Sequence, residues 1–105
     1  MDKPMIIIDG KKVTPAAPKM LAWRRVAEFD DMDKAGLTMN ELMDKYTEMI
    51  VLLFGRDTVT IESLDAALDV SDVIPMYRKL SDWLLSQAFE KLKKVPNVET
   101  AEAQS

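Results

Sequence analysis

The stretch from Thr38 to Gly55 limits the possible folds more than any other part of the sequence. Thr38 and Glu41 have the spacing of a capping box, in which each side chain accepts a hydrogen bond from the other residue's amide. Gly55 follows where a left-handed C-terminal cap is expected. The apolar residues between them recur at helical spacing and share one face: Leu42, Tyr46, Met49, Ile50 and Leu53. The segment therefore predicts an amphipathic helix that other elements must cover.

The helix before it is expected to begin at Pro18, which suits a first turn, and to end near Met32. Its predicted buried positions are Leu21, Val26, Phe29 and Met32. Thr60 is expected to cap a short helix of about residues 61–68, with Ile61, Leu64 and Leu68 facing inward.

The last helix is predicted to start at Ser71 or Asp72, with Pro75 tolerated in the first turn, and to continue to Pro96. Its predicted inward face consists of Tyr77, Leu80, Leu84, Ala88 and Leu92. These elements predict a mainly α fold: a small helical domain of about four helices with a short N-terminal strand or hairpin.

The chain begins with a hairpin signal. The apolar run at residues 5–8 favours a strand, Asp9-Gly10 is typical of a two-residue type I′ turn, and residues 11–13 can return as a second strand. An isolated hairpin is marginal in water, so it must pack on the helices or on another chain. We therefore expect a hairpin and Pro-containing linker at residues 1–17, a helical domain at 18–95 and a disordered tail at 96–105.

Composition excludes several kinds of chemistry. The 105 residues include no cysteine and no histidine, so disulfides, thiolate nucleophiles, zinc–thiolate sites and histidine acid–base catalysis are all ruled out. We expect no enzyme activity, no catalytic residue and no cofactor. We also expect no metal, because Asp30, Asp31, Asp33 and Glu41 fit an EF-hand loop in neither register.

The same composition disfavours nucleic acid and membrane as partners. The net charge is -4, and the lysines at 91, 93 and 94 suit the C-terminal end of a helix dipole. The apolar run at residues 5–8 is too short for a signal peptide or a membrane span, which favours a cytoplasmic protein.

Charge is divided into blocks along the chain. Residues 1–27 carry six bases and two acids, residues 28–72 three bases and twelve acids, and residues 73–98 five bases and two acids. An acidic middle with basic flanks favours self-association into homo-oligomers or binding of a charged protein partner.

Four residues are candidate partner contacts: Trp23, Met43, Tyr77 and Trp83. Tryptophan is frequent in interface hot spots, but bulky aromatics also dominate cores, and both interpretations stay open. Eight methionines are many for this length, and methionine adapts its shape either to varied partners or to gaps in a core.

The order of elements resembles a known family. An Ile-Asp-Gly-Lys turn at residues 8–11 is followed by a helix bearing Trp23-Arg24-Arg25, a long helix ending in Leu53-Phe54-Gly55, and Thr58 to Leu64 leading into a short helix and Leu68-Asp69. Over about residues 5–92 this is similar to the tail assembly chaperones of long-tailed phages.

The resemblance implies a helical protein that coats the tape measure protein in many copies and keeps it soluble until the tail tube polymerises. A longer, frameshifted form in the family recruits the major tail protein. Because no such extension follows Ser105, we expect the chain to correspond to the short form. The family acts in the host cell cytoplasm and is not expected in the mature virion.

Two alternatives remain from other classes. One is a small acidic helical adaptor or regulatory protein that binds a compact partner. The other is a carrier protein modified at Ser63, although the glycine and aspartate expected before that serine are absent and a role in the first turn of the short helix is favoured.

Overall fold

A computed structural model describes residues 2–90 of the chain. In chain order its elements are β1 (Ile6–Ile8), β2 (Lys11–Val13), α1 (Met20–Asp31), α2 (Met39–Phe54), α3 (Ile61–Ala67), a 3₁₀ turn (Val70–Asp72) and α4 (Val73–Ala88). The predicted fold class is confirmed: the protein is mainly α, with four α-helices and an N-terminal hairpin in the described residues.

The hairpin forms within one chain. Strands β1 and β2 are antiparallel, and Ile8 pairs with Lys11 across a two-residue loop. Asp9 and Gly10 have φ values of 52° and 77°, as a type I′ turn requires at both central positions. Ile6 is buried while Lys11 and Lys12 are exposed, and β1 lies against α3. The hairpin prediction is confirmed, and the helices supply the packing it needs.

Helix α1 begins at Met20, two residues after the predicted start at Pro18, and ends at Asp31. Lys34 covers its C-terminal end, because its Nζ donates to the Phe29 carbonyl at 2.6 Å and lies 4.5 Å from the centre of the Phe29 ring. Val26 and Phe29 are buried as predicted, and Met32 is half-buried against the core. The prediction for Leu21 is wrong: this side chain is exposed, because it lies about 140° around the helix axis from Val26.

The capping box of α2 is confirmed. The Glu41 amide donates to Thr38 Oγ1 at 3.1 Å, and the Thr38 amide donates to Glu41 Oε1 at 2.9 Å. The hydrogen bond from the Thr38 amide holds the pKa of Glu41 below its usual value. At the other end, Gly55 has φ 111° and ψ 125°, so the predicted left-handed cap is wrong in detail. Its φ is positive, but its ψ lies outside the left-handed helical region.

Substituting Gly55 with alanine should destabilise the protein by about 1–3 kcal/mol, because a side chain disfavours that backbone conformation. Space is not the obstacle, since the nearest atom to an added Cβ is Thr58 Oγ1 at 3.6 Å. The matched control is Gly36→Ala, where nothing lies within 4 Å and φ is not positive. It should be neutral or slightly stabilising. Urea denaturation followed by circular dichroism measures both, and equal effects would contradict the assignment of strain to Gly55.

Helix α3 is capped as the sequence predicts. Thr60 Oγ1 accepts from the Ser63 amide at 3.1 Å, and Ser63 Oγ accepts from the Thr60 amide at 2.9 Å. The first-turn role predicted for Ser63 is therefore confirmed. Leu64 is buried and Leu68 half-buried, but Ile61 is exposed and its predicted inward position is wrong. As the first residue of a seven-residue helix, Ile61 lies at the rim of the core.

Helix α4 follows the 3₁₀ turn, with Asp72 as its N-cap and Pro75 in its first turn, as predicted. It ends at Ala88, so the predicted continuation is wrong for residues 89–90. The amides of Phe89 and Glu90 bond to the carbonyls of Ser86 and Gln87, three residues back, which tightens the last turn. Ala88 is exposed, contrary to its predicted inward position. The predicted helix over residues 91–95, with Leu92, and the predicted tail at 96–105 lie outside the described residues.

The core lies between α1, α2 and α4. Phe29, Tyr46 and Tyr77 each come from a different one of these helices, and their rings meet edge to face with centroids 5.1 to 5.4 Å apart. Helix α2 makes its most extensive contacts with α4, and Ile50 of α2 and Leu80 of α4 are fully buried in the same core. This aromatic cluster of Phe29, Tyr46 and Tyr77 fixes the position of α1 relative to α4.

Candidate partner-binding groove

The four predicted contact residues lie in different environments. Tyr77 and Trp83 on α4 are buried, whereas Trp23 on α1 and Met43 on α2 are half-buried and line separate grooves. The fold therefore does not bring the four together on one surface. Direct contact with a partner stays a prediction for all of them, and for the two buried side chains it would require the chain to open.

Tyr77 connects α4 to α1. Its hydroxyl donates to Asp30 Oδ1 at 2.9 Å, and its ring belongs to the aromatic cluster. Burial, followed by the hydrogen bond to Asp30, raises the pKa of the Tyr77 hydroxyl well above its usual range. The phenol therefore keeps its proton, and with it the hydrogen bond that links α4 to α1, to higher pH than an exposed tyrosine would.

An open groove runs between α1 and α4 with a volume of about 340 Å³. Its apolar floor consists of four side chains: Trp23 and Val26 from α1, and Leu84 and Leu85 from α4. Trp23 and Val26 are three residues apart, so they lie on the same face of α1. Leu85 is 50% exposed. We call this surface the α1–α4 groove.

The rim of the α1–α4 groove is acidic. Asp30 and Asp31 of α1 and Asp82 of α4 line it, and within residues 2–90 no lysine or arginine does so. Asp30 is held toward α4 by the Tyr77 hydroxyl, while Asp31 and Asp82 lie on opposite walls. The groove thus combines an apolar floor with carboxylates of one sign on both of its walls.

Met43 lines a second groove, of about 290 Å³, between α2, α3 and the 3₁₀ turn. Leu64 and Leu68 form part of its floor, the exposed side chains of Ile61 and Val70 lie at its edge, and Asp44 and Asp65 supply its charge. We call it the α2–α3 groove. It is bordered by a helix of only seven residues.

A candidate metal centre is absent from the described residues. No group of three or more acidic side chains in residues 2–90 is arranged to hold a metal ion. Within the same range, no helix has both the length and the apolar character needed to cross a bilayer. The two grooves each combine apolar side chains with carboxylates.

Comparison with known proteins adds no relative: no protein-family model, curated protein or solved structure matches the chain. Support for a function therefore comes from the chain's own residues and from the resemblance in element order.

Sequence reasoning found Trp23 but missed Leu85 and Asp82, two further parts of the α1–α4 groove. A signal for Leu85 was present. The predicted inward face of α4 includes Leu84, so a second leucine directly after it must point about 100° away from that residue. A large apolar residue placed off the buried face is a marker of a binding surface when it adjoins other exposed apolar groups.

Proposed function

We propose that the protein is a tail assembly chaperone that binds helical segments of the phage tape measure protein and keeps them soluble until the tail tube polymerises. The observation that carries this proposal is the α1–α4 groove, an open apolar channel between two helices. Amphipathic helices bind to other proteins by laying their apolar face into such a groove.

The dimensions of the groove suit a helical partner. The residues that line the groove run from Trp23 to Asp31 on α1 and from Ser81 to Leu85 on α4, which corresponds to walls of about 12 and 6 Å. A partner helix of about two turns would therefore match the length of the longer, α1 wall. Leu85 and Trp23 are already partly exposed to solvent, so binding needs no opening of the core.

The resemblance in element order supplies the identity of the partner and the setting. On this proposal, several copies of the chain coat one tape measure protein in the host cell cytoplasm, associate with each other, and leave before the virion is complete. A longer form of the same product would bring in the major tail protein. The helical fold agrees with the one that the resemblance implies.

The test is co-expression with a tagged tape measure fragment from the same genome, followed by solubility and stoichiometry of the purified complex. We expect the fragment to be insoluble alone and soluble with several chaperone copies bound. Leu85→Gln should reduce the soluble fragment severalfold, because it removes an apolar contact without adding charge. Met39→Gln is the matched control, since Met39 is 72% exposed on α2 and lines neither groove.

Three outcomes would contradict the proposal. A fragment that stays insoluble would remove the tape measure protein as the partner. A fixed one-to-one complex with a compact protein would favour the adaptor alternative. A loss of binding with Val70→Gln, and none with Leu85→Gln, would transfer the function to the α2–α3 groove, where Val70 lies exposed.

A further inference from the structure

We infer that the α1–α4 groove selects its helices by charge, and that its occupant is a partner helix whose apolar stripe is flanked by lysine or arginine. The identity of that partner as the tape measure protein rests on the proposed function. The charge preference rests on the groove itself and can be tested separately.

The preference follows from where the carboxylates lie. Asp31 stands on the α1 wall and Asp82 on the α4 wall, so a helix lying on the floor would have an acidic side chain on each side. Lysine or arginine at the flanking positions of that helix would reach the rim, while their methylene stems cover the apolar floor. Glutamate at the same positions would meet like charges at short range, which disfavours binding.

A neighbouring surface shows that this charge arrangement is not common to every depression on the molecule, although the α2–α3 groove is also lined by carboxylates without bases. Between α1 and α2 lies another open depression, lined by Arg25 and Lys45 as well as by Glu28 and Glu48. Arg25 and Glu28 pair there at 2.8 Å. Its bases and acids balance, so it offers no sign preference to a partner. The α1–α4 groove has carboxylates alone within the described part of the chain.

One other occupant has suitable chemistry, namely this chain's own residues 91–95. Their sequence, Lys-Leu-Lys-Lys-Val, is apolar and basic and follows α4 closely. We commit to the partner helix, because five residues offer at most about one and a half helical turns, fewer than the two turns or so that the α1 wall spans from Trp23 to Asp31. The experiment distinguishes the two occupants.

The probes are two synthetic amphipathic helical peptides of about 18 residues with the same leucine stripe, one flanked by lysine and the other by glutamate. The full chain is titrated with each peptide by calorimetry. Trp23 emission in a Trp83→Phe background gives a second readout from inside the groove. We expect the lysine peptide to bind at least tenfold more tightly at low salt, and the difference to shrink at about 0.5 M salt.

Variants of the rim assign the effect to the groove. Asp31→Asn with Asp82→Asn should weaken the lysine peptide roughly fivefold or more, since two charge pairs at the rim are lost. The matched control is Asp44→Asn with Asp65→Asn, which removes the same charge from the α2–α3 groove. This control should change the affinity for the lysine peptide by no more than about twofold relative to the unmodified chain. Asp30 is left unchanged because its side chain accepts the hydrogen bond from the Tyr77 hydroxyl.

Three results would overturn the inference: equal affinity for the two peptides, a loss confined to the control variant, or a clear gain in affinity when Lys91, Lys93 and Lys94 are replaced by glutamine. The last result would make the chain's own segment the occupant. Failure of the proposed function has a different signature, because the tape measure fragment would then stay insoluble while the lysine peptide still bound the groove in preference to the glutamate peptide.

Discussion

Replacing Phe29 with alanine should lower the free energy of unfolding by about 3–5 kcal/mol. The side chain is 6% exposed, its ring contacts both Tyr46 and Tyr77, and Lys34 lies over its face. Truncation would therefore leave a cavity where α1, α2 and α4 meet. A domain of this size is stable by only about 5–15 kcal/mol, so the variant should unfold at markedly lower urea concentration.

The control for Phe29 is another phenylalanine in the same chain. Phe89 follows α4 and is 53% exposed, so Phe89→Ala should change the unfolding free energy by no more than about 0.5 kcal/mol. Circular dichroism in a urea gradient measures both variants. Similar midpoints for the two would mean that the aromatic cluster does not hold the three helices together.

Trp83→Ala is expected to have an effect of the same size, about 3–5 kcal/mol, because Trp83 is only 1% exposed. Trp23→Ala should cost less than half as much, since Trp23 is half-buried and faces the α1–α4 groove. The two variants should separate function from stability. Trp23→Ala should reduce solubilisation of the tape measure fragment while the chain remains folded, which co-expression and a urea gradient measure together.

The opposite pattern would be informative about both tryptophans. If Trp83→Ala left stability unchanged and abolished partner binding, Trp83 would be a contact that the free chain conceals. If Trp23→Ala had no effect on partner binding at unchanged stability, Trp23 would not be a partner contact in the α1–α4 groove. The proposed function would then lose the observation on which it rests.

Elements determined by local chemistry were predictable from sequence. The capping boxes at Thr38 and Thr60 join residues only three positions apart, and the Asp9-Gly10 turn depends on two adjacent residues, so each leaves a local pattern. Errors occurred where an apolar residue sits at the edge of a helix face. Leu21 and Ile61 fit a helical repeat, but whether such a position is covered depends on which neighbour packs there.

The candidate groove was not predictable in the same way. Its walls come from α1 and α4, which are brought together by a hydrogen bond between Asp30 and Tyr77, 47 residues apart in the chain. Nothing in either helix alone indicates that the other will lie beside it. Sequence alone therefore identified Trp23 as a residue of interest but did not show that Asp31 and Asp82 would flank it.

The N-terminal hairpin has a consequence for how copies of the chain behave when they meet at high concentration. A two-stranded sheet leaves unpaired backbone groups along its outer strand, and these can recruit another strand and begin aggregation. In this chain β2 is only three residues long and carries Lys11 and Lys12, both exposed. Antiparallel pairing of two such edges would set lysines against lysines, so the hairpin resists edge-to-edge stacking and leaves contact between neighbours to the helical surfaces.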